Sequence, residues 1–181
     1  MADIVDIVAY DAEWPQRFRR IATALRGALR DAAQRIDHIG STAVPGLDAK
    51  PVIDIQISVA ELEPVDPYRR ALEGAGYRFR PNNAELTKRY FREAPGDRRT
   101  HIHVRRLGSW SEQFSLLFRD YLRAHLAEAE RYAALKRTLA AAYREDRAGY
   151  TDAKAPFIWE LMGRADRWSQ HVGWQPGPSD A

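Results

Sequence analysis

The chain of 181 residues contains no cysteine. That excludes disulfides, thiolate metal sites and a cysteine nucleophile. It also lacks a run of roughly 18 consecutive apolar residues, the length a membrane-spanning helix needs. Its start, MADIVDIVAYDAEW, has no basic leader ahead of an apolar stretch. Internal repeats and low-complexity segments are missing, and only the end of the chain, with GWQPGPSDA inside 172–181, is rich enough in Pro, Gly and Ser to read as a flexible tail. Charge of one sign is scarce: the formal net charge is +3, with the basic residues spread along the chain. This is too little for a nucleic-acid surface, although it favours small anionic ligands. The expectation is a cytoplasmic protein with no membrane and no specific nucleic-acid partner. No unpaired apolar stripe sets an oligomeric state.

What is present supports one compact domain over 1–171, since 45% apolar residues suffice for a core. Trp14, Phe18, Ile21, Leu25 and Leu29 recur at three- and four-residue steps within 12–33, with Pro15 in the first turn, which predicts an amphipathic helix. RIDHIG is a short strand candidate. PVIDIQISV alternates, with Ile53, Ile55, Ile57 and Val59 facing one way and Asp54, Gln56 and Ser58 the other. The apolar set is expected in the core, which leaves the polar set to line a cleft. A helix over 64–75 and strands at 77–80, 88–93 and 101–106 complete an α/β half, 1–108. The remaining 109–171 reads as three helices, the last behind an N-cap at Thr151 or Asp152. The fold class is α+β: a mixed sheet with flanking helices, then a three-helix segment packed to form a cleft.

Three features carry chemistry. Gly40 and Ser41 leave one strand and enter a turn, where backbone N–H groups and the Ser41 and Thr42 hydroxyls can meet a phosphate. Asp54 stands on the polar face of a strand otherwise built for burial, so it needs donors or a cation. It is either a hydrogen-bonded structural aspartate or a ligand for Mg²⁺ or Mn²⁺. His101 and His103, two apart on a strand, share a face with Arg105. Such a pair binds a transition metal, presents a proton donor beside a phosphate, or simply hydrogen-bonds; His38 is a candidate third ligand in space. Lys50, Arg119, Arg123, Lys136 and Lys154 are candidate charge partners, and residue type does not choose among them.

HIGSTAVPGLDAKPVIDIQISV resembles the GrpB family, a branch of the nucleotidyltransferase-fold superfamily. THIHVRRLGSWSEQFSLLFRDYLRAHLAEAERYAALKRTLA and YTDAKAPFIWELMGRADRW resemble the family's later blocks, so the likeness runs from about Tyr10 to Trp168. It implies a nucleotidyltransferase-like fold with a Gly-Ser turn for the triphosphate and strand carboxylates for two divalent metals. Here Gly40 and Ser41 match the turn and Asp54 the first carboxylate. Gln56 stands at the second carboxylate position, and the histidines of HIHVR stand on the strand of the third. One aspartate with two histidines suits a single Mn²⁺ or Zn²⁺ better than two Mg²⁺. The resemblance also implies a nucleotide or pantetheine ligand, because members occur fused to the kinase that completes coenzyme A synthesis. The expected activity is metal-dependent nucleotidyl transfer from a nucleoside triphosphate to a small acceptor. Asp54 and His103 would be catalytic, Asp54, His101 and His103 would hold the metal, and Gly40, Ser41, Thr42, Lys50, Arg105 and Arg119 would bind the nucleotide. The alternatives are a non-catalytic nucleotide- or CoA-binding module and a metal-assisted phosphoesterase using the histidine pair.

Overall fold

The computed structural model describes residues 4–181, so the first three residues of the expected 1–171 domain, at the start of the stretch read as carrying no leader, lie outside them. Trp14, Phe18, Ala22, Leu25 and Leu29 form the buried stripe of helix α1, Trp14–Leu29, with Pro15 in its first turn. The chain then runs through β1, Arg35–Ile39; β2, Ile53–Val59; α2, Asp66–Gly74; β3, Tyr77–Phe79; β4, Lys88–Glu93; and β5, Thr100–Arg106. Helices α3, Trp110–Ala124, α4, Leu126–Ala142, and α5, Arg147–Val172, follow. No helix is long and apolar enough to cross a membrane among the described residues.

The five strands form one mixed sheet in the order β1-β2-β5-β4-β3. Only β2 and β5 are parallel. Ile53, Ile55 and Ile57 pack with Ile36, Ile102 and the stripe of α1 in the main core. Each such side chain removed from water contributes about 1.5–3 kcal/mol. The opposite face of β2 and β5 looks toward the helical half, whose own core joins Leu117, Tyr121, Leu161 and Met162. The structure is α+β, a mixed sheet with flanking helices and a C-terminal helical segment.

Three local expectations are corrected. Only the first member of the polar β2 face reaches the cleft, because α3 covers the rest. Gln56 and Ser58 are fully buried, bonded respectively to the Glu112 carbonyl at 3.3 Å and the Glu112 carboxylate at 2.5 Å. Helix α5 begins earlier than its apolar pattern shows. Its N-cap is Asp146, which accepts from the Gly149 N–H, while Thr151 lies inside the helix and bonds back to the Arg147 carbonyl. The tail is not loose either. It runs along the outer edge of β1, where the Ile36 N–H donates to the Ser179 hydroxyl and the His38 N–H to Asp180, both at 2.9 Å.

Candidate functional site

Parallel pairing sets Asp54 opposite His101 and Gln56 opposite His103. Since like faces align across parallel strands, the Asp54 carboxylate lies between the two imidazoles. Its Oδ1 accepts from His101 Nδ1 at 3.2 Å and from His103 Nε2 at 3.3 Å. Burial acts to raise the Asp54 pKa, but the histidines outweigh it and hold the carboxyl well below the usual range. Burial lowers the His103 pKa against the opposing pull of Asp54, which favours the neutral ring. These three donors lie within 4.8 Å of one another and are the cluster among the described residues able to hold a cation.

One carboxylate and two imidazoles fit a single borderline divalent ion. The far nitrogens, His101 Nε2 and His103 Nδ1, are buried without partners among the described residues. The outer shell that usually orients ligating imidazoles is therefore incomplete. A pair of hard Mg²⁺ ions does not fit. Gln56, at the position a second carboxylate would take, is sealed off and accepts from Arg105 at 3.1 Å.

Two chambers meet at this cluster. The first, about 330 Å³, is lined by Ser41, Lys50, Lys136, Arg147, Tyr150 and Lys154, with Asp54 and both histidines at its floor. Its cations sit against aromatic faces: Lys136 lies 4.6 Å from the Tyr132 ring, and Lys154 and Lys50 lie 4.3 and 4.7 Å from Tyr150. Burial, and then the neighbouring Lys154, pushes the Lys136 pKa down to about 7. Burial, followed by Lys50, takes Lys154 down to about 8. An anion between these lysines would offset that cost. The second chamber, about 240 Å³, is lined largely by carbon from Ile39, Phe114, Phe118, Tyr132 and Ile158, and it also touches Asp54 and His103.

The structure thus brings together Gly40, Ser41, Lys50, Asp54, His101, His103 and Arg105. Gly40 has φ +71°, and an added Cβ would stand 2.8 Å from Asp54 Oδ2, so glycine is required by both the backbone and the close approach. Thr42 borders the first chamber, but its hydroxyl is already committed to the turn. It donates to the Val52 carbonyl at 3.1 Å and contacts His38 Nε2 at 3.0 Å. His38 does not join the metal cluster: it is buried and stacked on Phe18, and burial pushes its pKa down to about 3. Arg105 faces the second chamber, paired with Glu85 at 3.1 Å and bonded to Ser115 at 2.7 Å.

Arg119 is outside both chambers. Only 3% exposed, it bonds the His38 carbonyl, Asp120 and Asp180, so its donors fasten α3 to β1 and the tail instead of facing a phosphate. Arg123 likewise donates to the Ala43 carbonyl at 2.9 Å. Sequence reasoning missed Tyr132, Tyr150 and Arg147 and did not single out Lys136 or Lys154. A signal was there: Tyr-x-x-x-Lys occurs at 132–136 and again at 150–154, the spacing that stacks two side chains on one helix face.

A GrpB protein family model matches residues 4–164. The UPF0157 protein PA4798 of Pseudomonas aeruginosa is 40% identical over 97% of this chain and 73% of its own length. A dephospho-CoA kinase of Mycolicibacterium paratuberculosis is 34% identical over 95% of this chain but only 48% of its own, so the chain spans about half of that relative. The crystal structure of the conserved protein GrpB from Enterococcus faecalis superimposes with a TM-score of 0.82 at 34% identity, covering 90% of this chain and 99% of that one. The Cid1 poly(U) polymerase, solved with Mg and 3'-dATP, superimposes with a TM-score of 0.53 at 14% identity over 81% of this chain and 49% of its own, a likeness of fold. With its nucleotidyltransferase-like sheet and this match over nearly its whole length, the chain belongs to the GrpB family.

Proposed function

We propose that the protein transfers a nucleotidyl group from a nucleoside triphosphate to a small hydroxylated acceptor. The observation that carries this reading is the position of Asp54, between two imidazoles, at the junction of a four-cation chamber and an apolar one. The triphosphate would lie against Lys50, Lys136, Arg147 and Lys154, with the Gly40–Ser41 turn at its side. The acceptor oxygen would attack the α-phosphorus as the bond from that phosphorus to the bridging oxygen breaks. Pyrophosphate leaves with the bonding electrons. The acceptor proton passes to solvent, because a carboxyl held so far below the usual range keeps its charge for a cation and takes up no proton. A divalent cation held by Asp54, His101 and His103 would supply charge neutralisation at the phosphates. The protein's own part is to align the reactants and to hold Asp54 ionised, through His101 and His103.

Thermal melting against ATP, CTP, GTP and UTP, each with Mn²⁺, Zn²⁺ or Mg²⁺, tests the reading. A ligand at a hundred times its Kd adds about 2.7 kcal/mol, which at this size is a shift of roughly 5 to 10 °C. Stabilisation by one triphosphate, lost in Asp54→Asn and followed by pyrophosphate release with an acceptor, supports transfer. Stabilisation without any turnover favours the binding-module reading, and release of phosphate from simple esters the phosphoesterase. No response to any triphosphate sinks all nucleotide readings.

A further inference from the structure

The second chamber opens onto an aromatic surface that nucleotidyl transfer in itself does not require. Phe114, on its wall, lies 5.0 Å from the ring of Trp110 and 5.5 Å from that of Trp159. Those two tryptophans stack on each other at 6.0 Å with an interplanar angle of 17°, yet they are 67% and 59% exposed. Single exposed apolar residues are ordinary, but adjoining tryptophans continuous with an apolar cavity mark a recognition surface. Deeper in, Phe118 meets Tyr132 edge to face at 5.6 Å, so aromatic rings line the route from the surface to the Asp54 junction.

The charge of this route decides its ligand. Among the described residues Arg105 is the one cation lining the chamber; it is paired with Glu85, and the Asp54 carboxylate lines the chamber as well. A phosphorylated or polymeric anionic acceptor would have to displace that carboxylate, whereas the neighbouring chamber offers four cations around a single carboxylate. We infer that the second chamber, with its Trp110–Trp159 rim, is the acceptor subsite and takes an uncharged small molecule carrying an aromatic ring. Its hydroxyl points inward to Asp54 and its ring lies against Phe114 and the tryptophans. The acceptor role rests on the nucleotide reading of the first chamber; the aromatic selectivity does not.

Calorimetric titration with 2-naphthol tests this, first on the protein alone and then on the protein saturated with ATP and Mn²⁺, with 2-naphthyl phosphate as the charged counterpart. 2-Naphthol is expected to bind in both states. Phe114→Ala and the surface change Trp159→Ala should each weaken it by about tenfold, while Lys154→Gln weakens ATP and leaves 2-naphthol unchanged. Failure of 2-naphthol to bind, or a preference for 2-naphthyl phosphate that Lys154→Gln abolishes, overturns the inference. So does mutual exclusion of ATP and 2-naphthol, which would make the chamber a base subsite. Aromatic binding with no nucleotide binding under any condition removes the acceptor role together with the nucleotide reading. Nucleotide binding without aromatic binding removes the inference alone.

Discussion

Gly40 and Asp54 touch so closely that a single methyl group on the glycine would lie 2.8 Å from the carboxylate. The Gly40–Ser41 turn and the acidic group are therefore one geometric unit, with no room between them for a side chain. Gly40→Ala is expected to push Asp54 off the histidines. It should cost about 1–3 kcal/mol, because the φ of +71° and ψ of −171° suit glycine alone. Chemical denaturation reads the stability loss, and metal titration should show at least a tenfold weaker site. Unchanged metal affinity in a folded variant would separate the turn from the carboxylate.

Lys136 sets the pH response. Its folded pKa of about 7 lies below its ordinary 10.5. Between those values the unfolded chain holds a proton that the folded chain has released, so stability rises with pH across that window. Below pH 7 both states carry the charge, and the full burial cost stands. Lys136→Met should reduce this slope to the part that Lys154, with its folded pKa of about 8, contributes above that pH, raise the melting temperature by a few degrees, and weaken triphosphate binding. An anion restores the proton, so binding to the native protein should tighten as pH falls toward 7. Melting curves and triphosphate titrations from pH 6 to 10 check both signs.

Metal binding should be single and selective. Asp54, His101 and His103 give one donor set, so calorimetry is expected to find one Zn²⁺ or Mn²⁺ per chain and little heat from Mg²⁺. His101→Ala should weaken that ion at least tenfold. Two strong ions per chain would mean that an acidic partner lies elsewhere.

Asp180 holds the tail and α3 together through Arg119 at 2.9 Å and the His38 N–H at 2.9 Å. Asp180→Ala should cost about 2 kcal/mol, roughly 4 to 8 °C. Asp180 lines neither chamber, so both should keep their affinities. A melting temperature equal to wild type would show that the tail adds no stability.

The strands were legible because alternation along PVIDIQISV and HIHVRR follows the pleat directly, and the same period puts Asp54 and the histidines on one face. What the pattern could not say is what lies over that face. Gln56 and Ser58 look identical to Asp54 in period, yet Glu112 of α3 closes over them. Arg119 was misjudged for the same reason, since its acceptors come from β1, its own helix and the tail. The start of α5 was hidden because Tyr150 is the one buried residue in the stretch before Pro156. Lys136 and Lys154 could not be told from Arg119 or Arg123 by residue type until the packing set them in the first chamber.

The pairing of β2 with β5 has a consequence for how this site changes over time. The isoleucines of one face lock the register, and a slip of one residue would turn every side chain to the wrong side. Chemistry on the other face can then be exchanged one residue at a time, with its address held fixed by residues that take no part in it. A carboxylate can give way to an imidazole at 101 or 103 without a shift in the isoleucine face, whereas 56 is tied to α3 through Glu112. Such a scaffold keeps its shape through a succession of metals and substrates, so lineages that share the fold can diverge in activity through a handful of substitutions on one side of two strands.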